Sequence, residues 1–147
     1  MASFLGLNAK IYNNSGSYAS PTWDEITGAR DVGVKLANGE ADVSSRGSGG
    51  WKLTKAAMKD ASVEFDVIYD PADTEFQALR DAWINGTAVE LAVMDSDVAV
   101  AGAEGIRASF AVIGFDRNEP LEGPLTVAVV CKPTESSDAA PAWFTST

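Results

Sequence analysis

The segment 61–86, "ASVEFDVIYDPADTEFQALRDAWING", decides the fold class because its apolar residues change their spacing partway through. Val63, Phe65 and Val67 alternate with polar residues, which is typical of a strand in an antiparallel sheet with one wet side. Further along, the spacing becomes helical, and one apolar stripe is formed by Ala72, Phe76, Leu79 and Trp83. We therefore predict a strand and then a helix over about residues 71–84.

The same segment carries signals for both helix ends. Asp70 can cap the helix, Pro71 suits the first helical position, and Asn85-Gly86 is a stop signal. The acidic cluster of Asp70, Asp73 and Glu75 is therefore interpreted as helix capping and not as a catalytic or metal site.

Alternation recurs on both sides of this segment. Residues 87–94, 105–115 and 124–132 each place apolar side chains on one face, and 29–36 does so through Val32, Val34 and Leu36. Residues 9–13 and 22–26 are weaker strand candidates. Cys131 falls on an apolar face, so we interpret it as a small core side chain. The prediction is one mainly β domain of 147 residues, an antiparallel β-sandwich or barrel-like fold with one packed helix.

Composition excludes several functions. Twenty-one acidic against 11 basic residues give a net charge of −10, which argues against sequence-independent nucleic-acid binding and against docking on an anionic membrane. The sequence has no histidine, so the commonest general base and the commonest metal ligand are missing. No apolar run is long enough for a membrane span, and the N-terminus does not look like a signal peptide. We predict no catalytic, metal or cofactor site, and a plain solvated turn at Asp95 and Asp97.

Residues 37–50, "ANGEADVSSRGSGG", are predicted to form a long loop between two strands. The glycines suggest a phosphate-binding loop, but the Gly-Lys-Ser/Thr ending is missing and no helix follows. Loops of this length in compact domains are usually functional or disordered. Residues 1–10 and 134–147 are predicted to be terminal arms. The aromatic pair Trp143 and Phe144 would dock either on this subunit or on a neighbour.

Three stretches, in this order, resemble the major tail (tail tube) proteins of long-tailed bacteriophages. They are "WDEITGARDVGVKLANGEADVSSRGSGGWK", "DASVEFDVIYDPADTEFQALRDAWINGTAVEL" and "GIRASFAVIGFDRNEPLEGPLTVAVVCKP". Together they span about residues 10–134, and the order and spacing carry the resemblance more than any single motif.

The resemblance implies a structural virion protein with no catalysis, made in the host bacterial cytoplasm. It also implies rings, six subunits to a ring, that stack into a hollow tube through which DNA passes without specific binding. The implied partners are other copies of the chain, together with tape-measure, tail terminator and distal tail proteins, and no membrane insertion is implied.

The resemblance further implies that the long loop reaches a neighbouring subunit or the next ring. The residues predicted for that contact are Glu40, Asp42, Ser44, Ser45, Arg46 and Trp51. Arg46 would form an ion pair with Glu40 or Asp42 of another copy. By strand alternation, Glu64, Asp66 and Glu90 are candidate carboxylates of the bore, where negative charge would repel DNA. Their location on the outer, solvated surface is an equal alternative.

Three alternative functions stay open from the sequence. One is a needle-tube subunit of a bacterial injection system, which would share fold and assembly. Another is a monomeric β-sandwich that binds a ligand such as a carbohydrate, with Trp23 or Trp51 as a stacking platform. The third is an enzyme, for instance a glycosidase built on two carboxylates that meet in space.

Overall fold

The structure, a computed structural model, describes residues 3–147, which form eight β-strands and one α-helix. The elements are β1 Lys10–Asn14, β2 Trp23–Glu25, β3 Ala29–Asp42, β4 Thr54–Ile68, α1 Thr74–Asn85, β5 Ala88–Met94, β6 Glu104–Asn118, β7 Thr126–Pro133 and β8 Ala142–Thr145. The mainly β fold with one helix, predicted from the sequence, is confirmed.

All strands belong to one antiparallel sheet in the order β2-β1-β5-β6-β7-β4-β3, and β8 pairs with β6 outside this path. The 15-residue strand β6 changes partner along its length. Residues 104–107 pair with β8, and residues 110–118 pair with β7. Strands β2 and β3 lie at opposite ends of the strand order but are joined by residues 26–28, so the sheet curls around its core in the barrel-like way expected.

The core lies between the curved sheet and α1. It takes Val63, Phe65 and Val67 from β4, as alternation predicts, and Phe76 and Leu79 from the helix. The core extends over the neighbouring strands with Leu91, Ala108, Phe110, Val127, Val129 and Cys131. Burial raises the pKa of the Cys131 thiol to about 12, so this side chain is an inert core group, as interpreted.

The helix begins later than predicted. Asp73, not Asp70, is the N-cap, because its side chain accepts a hydrogen bond from the Glu75 N–H. Asp70 instead accepts from Ala72 N–H in the turn before the helix. The capping interpretation of these carboxylates holds, with the first turn shifted to Thr74. Gly86 ends the helix with a φ of 67°, a left-handed conformation that suits glycine.

The predicted apolar faces are not all buried. Trp83, expected in the buried stripe of the helix, is 50% exposed and stacks on Phe115 at 6.4 Å between ring centroids. Val32, Val34 and Leu36 of β3 are also exposed, because β3 is the last strand of the sheet and no element covers it. An apolar row on an edge strand is a surface that favours pairing with another chain.

The two termini are more regular than arms. Met1 and Ala2 lie outside the described residues, and of the predicted arm 1–10 a short 3₁₀ turn spans Gly6–Asn8 and Lys10 already starts β1. Within 134–147, β8 pairs with the start of β6. Phe144 docks on this subunit, where its ring lies 6.0 Å from that of Trp23, whereas Trp143 is 62% exposed.

Candidate functional site

The first six residues of the predicted long loop are strand. Residues 37–42 continue β3, and they pair with the first half of β4 up to the Asp42–Thr54 register. The β4–β7 pairing begins only at Val63, so residues 37–60 form a two-stranded ribbon without a third strand. We call residues 37–60 the distal hairpin. All of its residues but Ser48 are exposed.

The tip of this hairpin is held by its own serines. The Ser44 hydroxyl accepts a hydrogen bond from Leu53 N–H at 2.7 Å, and Ser45 and Ser48 cap each other's backbone around the 3₁₀ turn Arg46–Ser48. The glycines Gly49 and Gly50, at φ 66° and 84°, return the chain. The serine hydroxyls of the predicted loop therefore order its tip by hydrogen bonds within the subunit.

All six predicted contact residues lie within residues 40–51, the outer part of the distal hairpin, and they are exposed. Trp51 is 75% exposed, and Arg46 forms no ion pair within residues 3–147. The backbone N–H of Ser44 donates to the Asp42 carboxylate, which lowers the pKa of Asp42. Asp42 therefore has a task inside the tip, whereas the structure gives no such bond to Glu40.

By the strand register, all three candidate bore carboxylates lie on one face of the sheet. Glu64 and Asp66 lie on the face of β4 opposite the helix-covered core, and both are partly exposed. Glu64 lies 3.7 Å from the Lys35 ammonium, and Asp66 lies opposite Arg30 in the strand register. We call the part of this face formed by residues 29–36 of β3, 61–68 of β4, 110–118 of β6 and strand β7 the open face. At its paired positions it carries three carboxylates and three cations: Glu64, Asp66, Asp116, Arg30, Lys35 and Lys132. These positions are balanced in charge.

Glu90 does not join this group as a free charge. Its side chain is 14% exposed and its carboxylate lies 2.9 Å from Nε of Arg107, which is itself 10% exposed. The Arg107 guanidinium also lies over the rings of Tyr18, Trp23 and Phe144, at 4.1 to 5.4 Å from their centroids. A carboxylate enclosed with its counter-ion contributes little field to a bore. We therefore correct the assignment of Glu90 to that of a structural ion pair.

Sequence reasoning missed this ion pair. Arg107 sits at an alternating position of β6 among apolar residues, which is the one signal the sequence offered. Its partners come from four separate segments, so their convergence depends on the sheet order. The pair ties the C-terminal strand to the body, because Phe144 of β8 packs on the guanidinium.

The turn with Asp95 and Asp97 is also more structured than predicted. Asp95 accepts a hydrogen bond from Glu104 N–H, and Asp97 accepts one from the Tyr12 hydroxyl and one from Ala99 N–H. The backbone N–H of Ala99 is the largest cause of the lowered pKa of Asp97. These carboxylates hold the β5–β6 turn against β1.

The ligand-binding alternative finds no support in the positions of the tryptophans. Trp23 lies beneath the Arg107 guanidinium, 4.9 Å from its ring centroid, and Trp51 stands alone at the hairpin tip. A groove of about 720 Å³ beside β1 and the start of β3 contains neither ring in its lining. Within residues 3–147, no three potential metal-binding side chains come together. No helix in the same range has the length and apolarity needed to cross a membrane.

Residues 9–131 match the model of a family described as phage tail tube protein. The match covers most of the chain, including all of the distal hairpin. No curated protein matches the chain.

Solved structures share the fold at low sequence identity. A tail of an empty gene transfer agent particle, refined with C6 helical symmetry, has a TM-score of 0.75 at 19% identity, covering 97% of this chain and 99% of that one. The SPP1 tail tube has a TM-score of 0.70 at 14% identity, covering 88% and 75%. An anti-feeding prophage baseplate chain has a TM-score of 0.66 at 8% identity, covering 99% and 98%.

Proposed function

Since the chain belongs to the phage tail tube protein family, a structural subunit of the virion tail, we propose that it forms rings of six that stack into a tube, with the distal hairpin as its assembly arm. Six-fold symmetry is proposed from the C6 tail of the gene transfer agent, whose fold this chain shares.

The observation that carries this proposal is the isolation of the distal hairpin. A two-stranded hairpin without further packing is marginally stable at best in water. Here one extends beyond the core with Val43, Trp51, Leu53 and Met58 all more than 45% exposed. A second chain against this ribbon would bury what the subunit leaves exposed. The contact residues predicted from the sequence lie on this arm and are proposed to meet a neighbouring copy.

The exposed edge strand β3 supports lateral assembly in the same way. The apolar row of Val32, Val34 and Leu36 has no cover within the subunit. A contact between this edge and a different surface of the next copy is heterologous, and such contacts close into rings when the rotation permits.

We further propose that the open face lines the bore. Helix α1 covers the other side of the sheet, so the open face is the one free to look inward. Its cations would bind phosphate if left unpaired, because Lys and Arg contacts release counter-ions from DNA. Glu64 and Asp66 stand beside Lys35 and Arg30, and thereby neutralise them. Charge balance, and not net repulsion, then lets DNA pass without sticking.

The remaining partners are proposed from the family alone. A tube needs contacts to a tape-measure protein inside and to terminator and distal tail proteins at its ends. Synthesis in the host cytoplasm is proposed on the same basis.

Negative-stain microscopy of the purified chain tests the assembly. We expect rings and tubes that lengthen with protein concentration. A monodisperse monomer at every salt and protein concentration would contradict the proposal, and would favour a monomeric binding module. Growth of tubes would not separate a phage tail from a needle tube of an injection system, whereas a tape-measure gene beside this one would favour the tail.

A charge-removal pair tests the bore. Glu64→Gln with Asp66→Asn leaves Lys35 and Arg30 unneutralised, so we expect tubes to form normally while DNA ejection from reconstituted particles slows. Asp81→Asn with Asp138→Asn, which removes two exposed carboxylates outside the open face, is the matched control. Unchanged ejection kinetics in the first variant would place this face elsewhere than at the bore.

A further inference from the structure

The charges of the chain are segregated along its length. Residues 43–59 contain four basic residues, Arg46, Lys52, Lys55 and Lys59, and no acidic one. The rest of the chain keeps seven of the 11 basic and all 21 acidic residues, a net charge of −14 beside +4. All four cations are exposed, and none has an ion-pair partner within the described residues. We call residues 43–59 the cationic tip.

The opposite end of the sheet is acidic. Strand β4 starts within the cationic tip and ends at Ile68. There Ile68 pairs with Thr126 of β7, and Thr126 pairs with Asn118 of β6. The segments 69–75 and 116–125 therefore meet at one end, where Tyr69 N–H donates to Leu125 O. We call these two segments the acidic pole. They hold six carboxylates and one cation: Asp70, Asp73, Glu75, Asp116, Glu119, Glu122 and Arg117.

The two charged ends cannot meet within one subunit. Nine residue steps of β4, from Lys59 to Ile68, separate them, which at about 3.3 Å a step is about 30 Å. Both are also equipped for a dry contact. Trp51 at the tip is 75% exposed, and Leu121 at the pole is fully exposed. A large exposed aromatic beside cations is the composition of an interface anchor.

We propose that the cationic tip of each subunit docks on the acidic pole of another copy in the adjacent ring. This deepens the proposed function and rests on it, because it names the surface that the assembly arm contacts. The cationic tip and the acidic pole lie at opposite ends of the subunit. A copy that docks through one of them therefore leaves the other free for the next copy. Such a contact repeats without closing, which is what a tube of stacked rings requires.

This docking assigns Arg46 a different partner from the one predicted by sequence. Glu40 and Asp42 lie on the same hairpin as Arg46, so their pairing across copies would need two hairpins to lie side by side. The acidic pole offers a net charge of −5 with little competition, since the Arg117–Glu119 ion pair is its one internal neutralisation among the ion pairs of residues 3–147.

Two oppositely altered variants test the docking by mixing. The tip variant is Arg46→Glu with Lys52→Glu and Lys55→Glu, which changes the net charge of the tip from +4 to −2. The pole variant is Asp116→Lys with Glu119→Lys and Glu122→Lys, which changes the net charge of the pole from −5 to +1. Each variant has tip and pole of the same sign, so we expect the critical concentration for tube growth to rise about tenfold or more for either one alone. In an equimolar mixture, each tip can meet a pole of opposite sign on the other variant, and tubes should return. Arg80→Glu with Lys132→Glu reverses charges of the same sign as in the tip variant at sites away from tip and pole, and should assemble alone.

The outcomes separate the docking from the function. If the wild type forms no tubes, the proposed function fails. If it forms tubes and the tip variant grows them equally well, the docking is contradicted while the function stands. A mixture that stays unassembled, with both variants folded by circular dichroism, also contradicts it. Restoration by Glu40→Lys with Asp42→Lys instead of the pole variant would show that hairpins pair with each other.

Discussion

Strand β4 runs through two different environments. From Val63 to Ile68 it lies between β3 and β7, and Val63, Phe65 and Val67 are 3% exposed or less. From Thr54 to Asp60 it has β3 as its one partner, and every residue is exposed. The backbone hydrogen bonding is similar in both halves, so the difference lies in burial. One half stabilises the subunit, and the other half has its side chains free for another chain.

The difference follows from composition at the level of single positions. The buried half reads Val-Glu-Phe-Asp-Val, in which each apolar residue removes a large side chain from water. The exposed half reads Thr-Lys-Ala-Ala-Met-Lys, with small or charged residues at most positions. Lys residues on a strand with one unpaired edge also discourage indiscriminate pairing at that edge. The distal hairpin is thus kept from aggregation while remaining available to a matched surface.

The largest expected effect of a single substitution is in the buried half. Phe65→Ala removes a ring that is 3% exposed, which costs about 3–5 kcal/mol in the free energy of unfolding through lost burial and a cavity. Met58→Ala, at a side chain that is 85% exposed, should change the same quantity by less than about 0.5 kcal/mol. Urea unfolding of both variants measures the contrast, and equal losses would show that the two halves are packed alike.

A smaller effect of the same contrast is expected in thiol chemistry. Cys131 lies opposite Val63 and its pKa is raised from 9.0 to about 12 by burial. Its alkylation near pH 8 should be at least about a hundredfold slower than that of a cysteine placed by Met58→Cys in a Cys131→Ala background. Alkylation time courses, quenched at intervals, measure both rates. Comparable rates in the folded protein would mean that the β4–β7 half opens to solvent.

The same thiol predicts a modest pH dependence. The pKa is raised on folding, so its stabilising contribution is complete below about pH 9 and is lost as the pH rises toward about 12. The free energy of unfolding should therefore fall less steeply above pH 9 in Cys131→Ala than in the wild type. A parallel pH dependence in the two proteins would contradict a buried thiol at this site.

Residue spacing and capping signals in the sequence predicted the buried strand positions and the helix. Alternation found the buried positions of β4, β6 and β7, and the capping signals placed the helix to within a few residues. Exposure of Val34 and Leu36 was missed, because an apolar alternating strand looks the same at the centre of a sheet and at its edge. The order of strands in the sheet decides which of these it is, and that order depends on long-range pairing.

The candidate site divides along the same line. The concentration of glycines and serines marked residues 44–50 as a distinct segment, whereas the contact role of residues from Glu40 to Trp51 was implied by the resemblance and stays a prediction. That the hairpin was a paired ribbon was not predicted, since the polar composition of residues 37–42 suggested a loop. Glu90 and Arg107 could not be paired from the sequence, because 17 positions separate them and their shared aromatic cover comes from both ends of the chain.

If the distal hairpin is the assembly arm, the rest of the subunit should fold without it but should not assemble. Replacing residues 39–58 by Asn-Gly would join Asn38 to Lys59, which face each other in the register, through a two-residue turn. Circular dichroism, gel filtration and negative-stain microscopy of this variant, beside the wild type, make the measurement. We expect a cooperatively folded monomer that yields no tubes at concentrations where the wild type polymerises. Tubes of normal length from the shortened chain would contradict the assembly role of the hairpin, and an unfolded chain would contradict the independence of the body.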